Sequence, residues 1–96
     1  MTSHRKAYEE KFSAQLDEWE ARLALLRAQG DKAAAEAKIE YFETTDALKA
    51  KHDESCTRFN ELKASGDDAW EELKSGTEKA WDEFKLGFHN AAKQFQ

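Results

Sequence analysis

Apolar residues recur along this chain in steps of three and four. Tyr8, Phe12, Leu16, Trp19, Leu23 and Leu26 begin the series, and such steps hold one stripe on one side of an α-helix. With Leu16 at a and Trp19 at d, the seam continues through Leu23, Leu26, Gly30, Ala33 and Ala37, the pattern of a coiled coil. Ala37, Tyr41, Thr45 and Leu48 follow at steps of four, four and three, a stutter that locally unwinds a left-handed supercoil. A weaker seam runs on through His52, Ser55, Phe59 and Leu62.

The pattern stops at Ala64-Ser65-Gly66-Asp67-Asp68. Gly66 suits the left-handed position just past a helix end, and Asp67 suits the cap of the next helix. Asp68, Glu71 and Glu72 then sit in a first turn, where the helix dipole favours acids. The helix that follows carries an internal repeat: Ala69-Trp70-Glu71-Glu72-Leu73-Lys74-Ser75-Gly76 returns as Ala80-Trp81-Asp82-Glu83-Phe84-Lys85-Leu86-Gly87. The repeat spans close to three helical turns, so both copies present one face. That face is Trp70, Leu73, Thr77, Trp81, Phe84, Phe88, Ala92 and Phe95, amphipathic and strongly aromatic.

These signals predict one all-α domain over residues 1–96. It has a long helix at about 3–64, a turn at about 65–67 and an amphipathic helix at about 68–95. A straight first helix would be ~93 Å long and the second ~43 Å. Folded back, the second helix covers the first only down to about residue 36, and residues 3–30 need a partner from elsewhere. The expected architecture is therefore an elongated antiparallel hairpin that dimerises through a seam of Phe12, Leu16, Trp19, Leu23 and Leu26. The alternative is a three-helix bundle bent at Gly30, where Gln29-Gly30-Asp31 interrupts the pattern weakly.

Composition agrees with helix throughout. Ala, Glu, Lys, Leu and Arg supply 52 of the 96 residues, and Pro and Val are absent, which excludes most β-containing folds. Leu, Ile and Phe number 15, thin for a globular core, so an enzyme with a buried cleft is not expected. Opposite charges four apart (Glu18–Arg22, Arg27–Asp31, Lys32–Glu36, Lys49–Asp53 and Glu54–Arg58) mark solvated helix faces. The net charge of −5 argues against a nucleic-acid partner. No secretory leader pattern and no apolar span stand out, so the expected compartment is the cytoplasm.

Candidate chemistry is sparse. His52 and Cys56 lie one turn apart and make a weak two-ligand metal candidate; their ordinary reading is a seam residue and its flank. No calcium loop, phosphate loop or catalytic constellation is present, and no cofactor is expected. The aromatic face of Trp70, Leu73, Trp81, Phe84, Phe88 and Phe95 is the main interaction candidate. Three surfaces suit it: the chain's own long helix or a second copy, a lipid surface, or the exposed apolar patch of a client protein. Acidic residues dominate positions 67–83 and oppose anionic lipid.

Three segments together carry a family resemblance. They are Arg5-Lys6-Ala7-Tyr8-Glu9-Glu10-Lys11, then Gln15-Leu16-Asp17-Glu18-Trp19, and the tail Gly66-Asp67-Asp68-Ala69-Trp70-Glu71-Glu72-Leu73-Lys74 with Ala80-Trp81-Asp82. The chain resembles a family of short bacterial coiled-coil stress-response proteins, from cyanobacteria and proteobacteria, loosely likened to apolipoprotein helices. The resemblance spans nearly the whole chain, and the tail is its most specific part. It implies a helical, non-enzymatic, cytoplasmic protein with no catalytic residues. The family pattern has another small residue where Gly30 stands here, which leaves continuity of the first helix open at that point.

Overall fold

The computed structural model describes residues 2–95, and the side chains of 4–95. Three helices account for nearly all of it: α1 (Thr2–Asp31), α2 (Ala35–Ala64) and α3 (Asp67–Gln94). They run up, down and up in a bundle measuring 51 × 18 × 18 Å. No strand occurs among the described residues.

The continuous helix over 3–64 does not form. The chain turns back at Lys32–Ala34, so the three-helix alternative holds, with the bend just after Gly30 and not at it. The gain from bending is burial: Phe12, Leu16, Leu23 and Leu26 are each covered by the chain's own helices, removing apolar surface from water without a second molecule. Gly30 is itself helical and buried, and no residue of the described chain has a positive φ. Its role is close approach. A Cβ on Gly30 would lie 2.7 Å from the Cβ of Tyr41, so only glycine lets the end of α1 settle on the start of α2 at this distance.

The second turn also differs in detail. Gly66 is extended (φ −78°, ψ 169°) and stands as the residue before α3, while Asp67 is the first helical residue. The end of α2 is finished by Ser65, whose backbone N–H and Oγ both donate to the Leu62 carbonyl, at 3.1 and 2.7 Å.

The predicted faces are the buried ones. On α2 the buried set is Thr45, Leu48, His52, Ser55, Phe59 and Leu62, the stutter and weak seam read from spacing. The buried hydroxyls bond back to helical carbonyls: Thr45 to Phe42 at 3.2 Å, Ser55 to Lys51 at 3.1 Å and Thr77 to Leu73 at 2.7 Å. Such local bonds remove most of the penalty of burying a hydroxyl. Three expected i,i+4 ion pairs form, Glu18–Arg22, Lys49–Asp53 and Glu54–Arg58. Arg27 instead reaches across to Asp46 on α2 at 2.7 Å. The expected Lys32–Glu36 pair straddles the break and is not made among the described residues.

Candidate functional site

The three helix pairs are not equivalent. The backbone of α2 approaches both α1 and α3 closely, whereas α1 and α3, which run parallel, are held apart by their side chains. Aromatic rings fill that space. Tyr8 meets Trp70 edge-on at 5.7 Å, Phe12 meets Trp81 at 5.5 Å, and Trp19 meets Trp81, Phe84 and Phe88 edge-on at 6.1, 5.9 and 5.3 Å. Edge-to-face contacts of this kind add to the gain from burial alone.

The predicted interaction face and the predicted dimer seam therefore cover one another within one chain. Trp81 and Phe84 are buried, as are Phe12, Leu16, Leu23 and Leu26. Trp19, Trp70, Leu73, Phe88 and Phe95 are only half-buried. The structural argument for a side-by-side dimer, that residues 3–30 lack a partner, does not stand. Their partner is the rest of the chain.

Grooves line the spread α1–α3 seam at three levels. The largest, about 590 Å³, lies at the N-terminal end of α1 and α3 between Arg5, Tyr8, Trp70 and Lys74. A second, about 350 Å³, is flanked by Lys11, Gln15, Glu78 and Lys85. The third, about 360 Å³, is the most apolar, with Leu25, Leu26, Phe88, Ala92 and Phe95 in its walls. Leu25 is 61 % exposed there, an apolar side chain left on the rim.

Arg5 closes one end of the seam. One terminal nitrogen donates to the carbonyls of Leu62, Lys63 and Ser65 at 3.1, 3.2 and 2.7 Å, and the other reaches Asp67 at 3.2 Å. Its guanidinium also lies over the Trp70 ring at 4.3 Å. A single side chain thus caps the C-terminus of α2, where the dipole favours a cation, and ties α1 to the start of α3. Next to it, Tyr8 donates its hydroxyl to Glu78 at 3.1 Å. Burial, with the charges of Glu78 and Asp82, pushes the Tyr8 phenol well above its ordinary value of 10.0.

Comparison with known protein families, characterised proteins and solved structures finds no match.

His52 and Cys56 are adjacent but do not form a reactive pair. His52 is buried, with its Nε2 at 2.9 Å from the Leu16 carbonyl. A carbonyl only accepts, so Nε2 carries a proton, and Nδ1 faces the Cys56 sulfur, 3.7 Å away. Burial, followed by the nearby carboxylates of Asp53, Glu20 and Asp17, raises the Cys56 thiol above its ordinary value. A raised thiol is a weak nucleophile. No cluster of three metal-ligating side chains exists among the described residues, so the two-ligand metal candidate gains no third member. His52 packs instead against the edges of Trp81 and Phe84 at 6.1 and 5.3 Å.

The residues that sequence spacing did not single out are Arg5 and Tyr8 as partners of α3. Their signal was weak: a charged residue near a helix start, and the first aromatic of a stripe read as self-pairing.

Proposed function

We propose that this chain is a non-enzymatic helical interaction protein, with the α1–α3 seam as its working surface. The observation that carries the reading is the arrangement of rings there. Trp19, Trp70 and Phe88 are half-buried between two helices that touch mainly through aromatic side chains, and Phe95, stacked on Tyr41 of α2, walls the end of the groove. Such an interface is the one that separates at least cost in backbone contact, and its opening presents an aromatic helix face. The partner class is an exposed apolar segment of a client protein, docking as an amphipathic helix docks in a groove. A stress-response role follows from the family resemblance alone.

A lipid surface is the weaker reading. Asp67, Asp68, Glu71, Glu72, Glu78, Asp82 and Glu83 are all exposed along α3, so the outer side of the aromatic helix repels anionic headgroups. No helix among the described residues is long and apolar enough to cross a membrane.

The test uses reduced, carboxymethylated lactalbumin as an unfolded client, with phosphatidylcholine vesicles in a parallel arm, and reads tryptophan fluorescence. The expected result is a saturable change with the unfolded client, weakened by Phe88→Ala with Phe95→Ala. A response to vesicles alone would replace the client reading with the lipid one. Silence in both arms removes the proposal.

A further inference from the structure

We infer that α1 exchanges between two copies of this chain. The hinge at Lys32–Ala34 straightens, α1 and α2 join into one helix, and each copy's α1 takes the place of the other's against α2 and α3. The inference rests on the hinge and on the α1–α2 pairing, and it stands apart from the client-binding reading.

The hinge is built from residues that prefer helix. Lys32, Ala33, Ala34 and Ala35 are strong helix formers. None adopts a positive φ, and neither Gly nor Pro lies within the turn. The turn comes from Ala34 standing extended (φ −62°, ψ 156°) ahead of α2, where it makes no side-chain cap hydrogen bond. Alanine is a poor residue for that place. The preceding end of α1 has no basic residue in its last turn and finishes on Asp31, which opposes the helix dipole. Two weakly capped helix ends therefore face each other across three residues, with α1 closed only by the Lys32 N–H on the Gln29 carbonyl and the Ala33 N–H on the Gly30 carbonyl, at 3.2 and 3.1 Å. Joining them pairs the free N–H and C=O groups of both ends within one helix.

The pairing of α1 with α2 is centred on that hinge. Phe12 meets Phe59, Leu16 meets His52, Arg27 meets Asp46 and Gly30 meets Tyr41. Each pair is placed almost symmetrically about residues 34–37. Two joined helices laid antiparallel, with a two-fold axis at the hinge, reproduce these pairs between copies. The interface is isologous and closed. Ala33, Ala34, Ala35 and Ala37 come together at the axis, and their small side chains permit a close crossing. The Ser65–Gly66 turn keeps each α3 on its own α2, so the helix–helix pairs away from the hinge are remade between copies. A short hinge between well-packed elements is the usual setting for such exchange.

One substitution separates the two forms. Ala35→Pro places proline at the first position of α2, which suits it, after a residue already extended as a pre-proline residue must be. In the joined helix the same proline is interior and breaks it. The full chain is unfolded, refolded at millimolar concentration, and analysed by light scattering on a sizing column with small-angle X-ray scattering. The expected dimer is a rod of ~95 Å, the length of one helix over residues 2–64. Ala35→Pro abolishes it and keeps a folded monomer by circular dichroism. A dimer that survives Ala35→Pro, or a wild-type chain that stays monomeric after refolding, overturns the inference.

Discussion

The imidazole of His52, on α2, donates from Nε2 to the main-chain carbonyl of Leu16, on α1, at 2.9 Å. Both residues lie on faces read from spacing as coiled-coil seams, and the bond shows those seams closing on one another inside one molecule. Removing the ring by His52→Ala opens a gap beside Trp81 and Phe84 and deletes the bond. The expected loss of stability is about 2 kcal/mol, measured by urea unfolding. His52→Gln, which keeps a donor, should recover part of it.

Phe84 and Leu86 lie two residues apart on opposite sides of α3. Phe84 is 0 % exposed and Leu86 63 % exposed. Phe84→Ala should cost about 3–5 kcal/mol, the range for emptying an aromatic core site. Leu86→Ala should stay within about 0.5 kcal/mol of wild type. Equal effects from the two would mean that α3 is rotated from the orientation described.

Arg5 joins three segments with one planar group. Arg5→Ala removes the donor to the Leu62, Lys63 and Ser65 carbonyls and the cation over Trp70, for an expected loss of about 1–3 kcal/mol. Arg5→Lys should recover only part of it, because an ammonium has neither the flat face that lies over Trp70 nor the second nitrogen that reaches Asp67. Thermal melts of the three proteins, with amide exchange at the end of α2, check the order.

Alkaline pH should destabilise the bundle. Tyr8 and Cys56 both have their acid ionisation raised in the folded chain, chiefly by burial. Between the ordinary and raised values the folded state holds the proton and the unfolded state has lost it. Stability is then complete below the ordinary values of 9.0 for Cys56 and 10.0 for Tyr8, and falls as pH rises past them. Melting temperature measured across that range should drop less steeply for Tyr8→Phe with Cys56→Ser than for wild type. The same shift predicts slow alkylation of Cys56 at neutral pH in the folded chain.

Much of the bundle is legible in the spacing. Each seam position from Thr45 to Leu62 is buried, and the repeat around Trp70 and Trp81 does mark one face of α3. These follow from local periodicity, which a single helix carries in its own residues. The bend at Lys32–Ala34 is not legible in this way. Local preference there favours continuous helix, and the outcome is decided by packing of Phe12, Leu16, Leu23 and Leu26 against residues far along the chain. Gly30 did mark the neighbourhood, but through the closeness of Tyr41, a contact between helices that no local pattern contains. Arg5 was hidden for the same reason. Its acceptors are carbonyls at Leu62, Lys63 and Ser65, which every sequence has.

In this bundle α1 of the same chain covers the aromatic face of α3. Proton nuclear Overhauser spectra of a dilute sample, with the mass held at the 11.0 kDa of one chain, test it directly. Cross-peaks are expected between the rings of Trp19 and Phe88 and between Tyr8 and Trp70, whose centres lie 5.3 and 5.7 Å apart. Their absence in a helical monomer of that mass would contradict it.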